Sequence, residues 1–280
     1  MTFTKIHGLG NDFIVIDGKD KPLDRAVGGF VRRVCDRHIG VGGDGILFIS
    51  VEDKASGRVQ FRIFNADGTE AELSGNGLRI ASAALFHSGA IAPPLIRFET
   101  STGTRACELV RAEGPLYEIR ADMGLPRLAS ADIPFDDGGV HERIVDYPLT
   151  IGQKVFPVTV TSMGNPHCGV FFDRFPSRLE WHQIGAEIES HPFFPHKTNV
   201  EFIRILNRGE IEVLFYERGV GETLASGTGS CAAAVASMLR GLTDRKVAVR
   251  TALGQLIVEW TEDKLLQTGP AEIVFEGSLI

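Results

Sequence analysis

Stretches in which apolar and polar residues alternate recur along the chain: "RVQFRIFN" (58–65), "LIRFET" (95–100), "LYEIRADM" (116–123), "FPVTVTSM" (156–163), "VEFIRI" (200–205) and "EIEVLFYE" (210–217). A period of two predicts β-strands. Apolar spacing at three and four residues predicts helices over Leu23–Arg37, Leu78–Ser88, Trp181–Ser190 and Ser230–Arg240. Strands outnumber helices without regular β-α-β alternation, so the expected class is α+β.

The pattern also repeats. With the chain displaced by 152 positions, Val59, Phe61 and Ile63 fall on Ile211, Val213 and Phe215. Glu70 falls on Glu222, Ser74 on Ser226, Gly75 on Gly227 and Gly77 on Gly229. Ala81 and Ala84 match Ala233 and Ala236, and the helix-ending Gly89 matches Gly241, where a left-handed C-cap wants glycine. A further strand follows each helix, then a turn glycine, Gly103 and Gly254, with the register slipped by one. Two copies of a unit this long indicate a duplicated domain rather than a solenoid.

Length agrees with duplication: 280 residues is about twice the usual domain. The expected division is residues 1–125 and 126–269, with 270–280 returning to the first domain; the Pro/Gly/Asp-rich stretch Met123–Asp137 is the expected crossing point. Hydrophobic residues at 43% and charged residues at 23% are ordinary for a globular protein with real cores. The net charge of -7 is spread without a basic block, which argues against a nucleic-acid partner. No run approaches the roughly 20 apolar residues of a membrane span, and the first residues lack a secretory pattern. Cys35, Cys107, Cys168 and Cys231 form no Cys-X-X-Cys pair, so neither a metal site nor a disulfide framework is expected. A reducing cytoplasm is the expected compartment.

Chemistry concentrates where the repeat is strictest. A helix N-terminus carries unpaired N–H groups and partial positive charge, and glycines inside it let a ligand approach the backbone. "SGNG" and "SGTG" are therefore candidate carboxylate or phosphate cradles. Taken singly, a serine there is far more often an N-cap than a catalyst. Neither serine lies in Gly-X-Ser-X-Gly, and P-loop and dinucleotide fingerprints are both missing.

"GLGNDFIVID" (8–17), "FNADGTEAELSGNGLR" (64–79), "MGNPH" (163–167), "TNVEF" (198–202), "YERGVGETLASGTGSCAAA" (216–234) and "GPAEIVFEG" (269–277) together resemble the signatures of the diaminopimelate epimerase family. The resemblance covers essentially the whole chain. It implies two similar α/β domains, each a mostly antiparallel sheet wrapped around a central helix, with the active site in the interdomain cleft. It further implies interconversion of LL- and meso-diaminopimelate in lysine biosynthesis, without pyridoxal phosphate or metal, by a homodimer. In the family, two cysteines at the helix entrances take and return the α-proton from opposite faces of one carbon. Those positions here are Ser74 and Ser226.

Serine is a poor replacement. Free cysteine titrates near about 8.5 and helix N-termini lower it further. The helix field contributes only about 0.3–2 kcal/mol, against about 1.36 kcal/mol per pKa unit, so it cannot make a hydroxyl a comparable base. The expected chain binds substrate and turns over slowly or not at all. Four other cysteines remain, the pattern that a paired Cys→Ser replacement would leave; a natural serine-bearing relative is the alternative.

The helix entrances suggest the N–H groups of Gly75, Asn76, Gly227 and Thr228 for the reacting carboxylate, where developing charge would be stabilised. The resemblance adds Asn65 at that end and points to Asn11, Asn165, Asn199, Glu217 and Arg218 for the distal end. Arg218 can fork onto a carboxylate, and Glu217 can pair with an ammonium. Alone, Asn11-Asp12 and Asn165-Pro166 read as turns and Glu217-Arg218 as a solvated pair. His167 is a supporting group near the site or, equally, a structural histidine. Gly45 stands where family members often carry a longer polar residue, and no role transfers there. The alternatives are a related cofactor-independent racemase or isomerase on another amino acid, and a natural non-catalytic binding relative.

Overall fold

Residues 1–20, 24–71, 74–92, 94–101 and 103–280 are described in the computed structural model, and their elements sort into two units, Met1–Asp122 with Thr268–Ile280 and Met123–Gln267. In the first unit the order is β1 (Thr2–Gly8), β2 (Asn11–Asp17), α1 (Asp24–Cys35), β3 (Gly45–Asp53), β4 (Arg58–Asn65), β5 (Glu70–Ala71), α2 (Gly75–His87), β6 (Leu95–Thr100), β7 (Gly103–Glu113) and β8 (Leu116–Asp122). The second runs β9 (Ile144–Ile151), β10 (Lys154–Ser162), β11 (Pro166–Phe171), α3 (Arg178–Glu189), β12 (Asn199–Asn207), β13 (Glu210–Glu217), β14 (Gly221–Thr223), α4 (Gly227–Leu239), β15 (Lys246–Thr251) and β16 (Gly254–Trp260). A final strand, β17 (Leu265–Ser278), ends the second unit and returns to the first.

The first unit is a closed sheet. β1 pairs antiparallel with β2, β2 parallel with β3, β3 antiparallel with β4, and β4 parallel with β6. β6–β7 and β7–β8 are antiparallel hairpins, and β17 joins β8 back to β1. The second unit repeats the order: β10–β11, β11 parallel with β12, β12–β13, β13 parallel with β15, then β15–β16. The duplication holds in register. Val59 of β4 faces Phe98 of β6, and Ile211 of β13 faces Val249 of β15, so the one-residue slip falls after the helix.

The α2 and α4 helices are central because their sequences leave no polar face to expose. Gly75 to Leu85 is buried without a break, and α2 touches β1, β2, β3, β7 and β8. The Ala-rich α4 is buried from Gly229 to Ser237 and touches β10 to β13, β15 and β16. Helices apolar on nearly all sides belong inside a core, and the exceptions in α2, Asn76 and Arg79, are hydrogen-bonded to each other. Their serines are satisfied within the helix: Ser82 donates to Leu78 O, Ser230 to Ser226 O and Ser237 to Ala233 O. Outside each sheet lies an amphipathic helix. The α1 residues Val27, Val31 and Val34 pack on Ile14, Ile46 and Phe48, and the α3 residues Trp181 and Ile188 on Val170, Val200 and Phe202.

The α2 and α4 helices start three residues before the predicted Leu78 and Ser230. The glycines of both entrances are part of the first helical turn, where burial offsets glycine's low propensity. The expected start of α1 at Leu23 lies outside the described residues. The end signals hold: Gly89 and Gly241 sit at φ 66° and 69°, directly after their helices.

Candidate active site

Each central helix opens the same way. Ser74 is extended at φ -141°, ψ 123° and accepts the Gly77 N–H at 3.0 Å. Ser226, at φ -137°, ψ 129°, accepts the Gly229 N–H at 3.2 Å. Leu78 and Ser230 donate their N–H to the cap carbonyls. The first two N–H groups of each helix, at Gly75 and Asn76 and at Gly227 and Thr228, have no intrahelical acceptor. Space is tight at the third residue of each helix, more so at Gly229 than at Gly77. A Cβ at Gly229 would stand 2.9 Å from Phe215 Cδ1 and 3.0 Å from both Glu201 Oε1 and Ser226 Cβ. At Gly77 the nearest atoms, Ser74 Cβ and Ile63 Cδ1, lie at 3.2 and 3.3 Å.

In the first unit two of the expected asparagines, Asn76 and Asn11, form a relay. Asn76 Nδ2 donates to Asn11 Oδ1 at 3.1 Å, and Asn11 Nδ2 donates to Asp44 Oδ2 at 2.8 Å. Arg79, fully buried in α2, donates to Asn76 Oδ1. Behind the relay, Arg37 forks onto Asp12 at 2.7 and 3.1 Å and reaches Asp44 at 2.9 Å, while Lys5 pairs with Asp12 at 2.6 Å. Burial pushes the Asp12 carboxyl up, but Arg37 and Lys5 outweigh it and hold the group at about 2. Asn11 leaves a two-residue turn in which Leu9, at φ 52°, takes a left-handed conformation unusual for leucine. Asn65, at the end of β4, is exposed and donates to Thr69 Oγ1 at 3.0 Å. A Cβ at Gly45 would stand 2.2 Å from Phe64 O and 2.7 Å from Phe13 Cε1, so only glycine fits there.

In the second unit Asn199 is buried and doubly engaged, donating to Pro166 O at 2.9 Å and accepting the Arg218 N–H at 3.0 Å. The Arg218 guanidinium donates to His196 O at 3.1 Å. His167 is buried, with Nδ1 2.7 Å from Glu201 Oε1 and Nε2 3.0 Å from Asn165 Oδ1. Burial pushes the Glu201 carboxyl up; His167 opposes the shift and Glu217 adds to it.

Sequence reasoning passed over Glu201, Asp44, Arg37 and Gln267. The alternating stretch "VEFIRI" puts Glu201 where a solvated residue would stand, so nothing local marks its burial. Gln267, fully buried, donates to Gly227 O at 2.7 Å and so pins the first turn of α4; nothing local marks it. All four cysteines are buried, and none of them is in a disulfide. Burial pushes the thiols of Cys35 and Cys107 up to about 12 and raises that of Cys168. Among the described residues no cluster of His, Cys, Asp or Glu could hold a metal, and no helix is long and apolar enough to cross a membrane.

The diaminopimelate epimerase family model matches residues 3–129 and 159–274. Diaminopimelate epimerase of Pelotomaculum thermopropionicum is 44% identical over 279 residues, 99% of this chain and 98% of the relative. The chain belongs to the diaminopimelate epimerase family. A second member, from Heliobacterium modesticaldum, is 42% identical over 287 residues, 100% of this chain and 99% of the relative. Epimerases of this family are cofactor-independent isomerases, and their two-unit α+β fold extends further. A probable proline racemase from Agrobacterium radiobacter, solved with bound carbonate, shares it at TM-score 0.70 and 16% identity, covering 100% of this chain and 92% of that one. A hydroxyproline epimerase from Agrobacterium vitis follows at TM-score 0.68 and 16% identity, over 99% of this chain and 90% of that one.

Proposed function

We propose that this chain binds diaminopimelate, that positions 74 and 226 are its two proton-transfer positions, and that the serines there leave it inactive or weakly active. The observation that carries the reading is the repeated helix entrance: one cap oxygen with two N–H groups free of intrahelical partners in each unit. Epimerisation needs one group to remove the α-proton and a second to return one on the other face. Gly75, Asn76, Gly227 and Thr228 would take the reacting carboxylate, onto which carbanion charge delocalises, with Asn65 beside that end. Asn11, Asn165, Asn199, Glu217 and Arg218 would read the distal amino-acid end, and His167 would support them. A wrong isomer would leave polar groups unpaired, which is where stereospecificity comes from.

The reacting centre needs no cofactor for this proton transfer, and the same reading places the chain in lysine biosynthesis, in the cytoplasm, as a homodimer. Isothermal titration with LL- and meso-diaminopimelate is the test. Saturable binding of either isomer is expected; no heat from either, with the chain folded, would sink the reading. Sedimentation velocity checks the dimer, for which a single monomer-sized boundary is the contrary result.

A further inference from the structure

Beneath the entrance of α4 the second unit buries two ionisable side chains that the fold does not require. His167 on β11 and Glu201 on β12 are 1% and 2% exposed. In the parallel pair β11–β12, His167 faces Asn199; in the corresponding pair β2–β3, Phe13 faces Gly45. Phe13 and Leu47 therefore hold in the first unit the places that His167 and Glu201 hold in the second, and both are buried. The same architecture is built with an apolar pair, so the polar pair carries a desolvation cost without a structural need. Glu201 Oε2 is buried and has no hydrogen-bond partner among the described residues.

Both ring nitrogens of His167 face oxygen: Glu201 Oε1 on one side, Asn165 Oδ1 on the other. Two protons satisfy this arrangement, either as imidazolium against carboxylate or as neutral ring against carboxylic acid. Either way the pair has no net charge, as its burial favours, and Nε2 carries a proton. Nε2–H then donates to Asn165 Oδ1, which leaves the Asn165 amide N–H groups facing away. We propose that Glu201, acting through His167, is a positioning residue that makes Asn165 a donor to the distal carboxylate of the bound amino acid. This rests on the reading of Asn165 as a substrate contact.

Losing one of the two protons reverses the geometry. A neutral ring that donates from Nδ1 to a carboxylate presents a lone pair at Nε2. Asn165 must then turn its N–H groups inward and its oxygen outward, against the ligand's carboxylate. The groups around the pair are Glu217 from β13, Cys168 beside His167 on β11, and the first turn of α4 at Gly229 with Ser226. Burial and, more weakly, Glu217 raise the Glu201 carboxyl, against the opposing pull of His167.

Histidine-selective ¹⁵N NMR on the unmodified chain, free of ligand, tests the proton placement. The His167 Nε2 is expected to carry a proton in the folded parent until the His167–Glu201 pair loses one of its two protons; a ring with a bare Nε2 throughout overturns the proposal. Titration calorimetry with diaminopimelate tests the consequence. Affinity of the parent should fall on the order of tenfold to a hundredfold as that proton leaves, the range for a hydrogen bond to a charged group. Glu201→Gln can donate to Nδ1 and has no proton to lose, so it should match the parent's tight binding and keep it at high pH. His167→Phe with Glu201→Leu installs the first unit's pair; it should stay folded and bind weakly at every pH. A parent pH profile retained in E201Q, or tight binding by the Phe/Leu pair, overturns the proposal. A parent that binds no diaminopimelate refutes the substrate reading instead, and the NMR result still decides the placement. The NMR result likewise stands if E201Q does not fold.

Discussion

Ser74 and Ser226 each commit an oxygen to a cap, which is why the chain tolerates them. A cysteine at either place would present its sulfur to the same N–H groups, the setting that lowers a thiol's pKa. Ser74→Cys with Ser226→Cys is expected to raise α-deuterium incorporation into diaminopimelate in D₂O by about a hundredfold to ten-thousandfold, the usual contribution of general acid–base groups. Each single replacement should stay well below the pair in interconverting the LL and meso isomers, because one base cannot serve both faces. No exchange in the folded pair would point to a different substrate or a binding protein. The same variants give an independent readout. The parent's cysteines are buried, so a chromogenic disulfide should label it slowly, and the double variant should gain a fast-reacting thiol at half-buried position 74, with buried position 226 labelling more slowly.

Elements divide by whether their signal is local. The β4, β6 and β13 strands occupy the alternating stretches residue for residue, since a half-buried strand writes its period into its own sequence. β17 runs through Gly269 and Pro270, and its place follows from partners on β1 and β8 far away in sequence. Two glycines separate backbone demand from packing demand. Gly241 lies at φ 69° with nothing within 4 Å of an added Cβ, so Gly241→Ala should cost about 1 kcal/mol in backbone strain. Gly229 meets Phe215, Glu201 and Ser226 at 3.0 Å or less, so Gly229→Ala should cost about 1–3 kcal/mol through overpacking. Urea denaturation reads both. Only Gly229→Ala should also weaken diaminopimelate binding, because only it moves a helix entrance.

At the scale of the whole molecule, stability at acid pH should depend on the Lys5–Asp12–Arg37 cluster. Asp12 is held at about 2, below the roughly 3.9 of an unfolded chain. A depressed folded-state value means that the stabilisation is complete above the unfolded value and disappears as pH falls from about 4 towards about 2. Asp12→Asn should therefore lower the urea midpoint at neutral pH, and the gap to the parent should close on acidification. A gap that is constant with pH would refute the assignment. The sequence by itself determined the α+β class, the duplication, the two helix entrances and the family, because each is written in local periods or in a repeat that compares directly with itself. Tertiary structure alone decided that Glu201 and His167 share a buried site, that Asp44 orients Asn11, and that Gln267 pins α4. Those groups meet through pairing between distant strands, and neither spacing nor composition records which distant residues a closing sheet brings together. The serines of "SGNG" and "SGTG" belong to both accounts: their positions were legible from the repeat, and their capping bonds only from the fold.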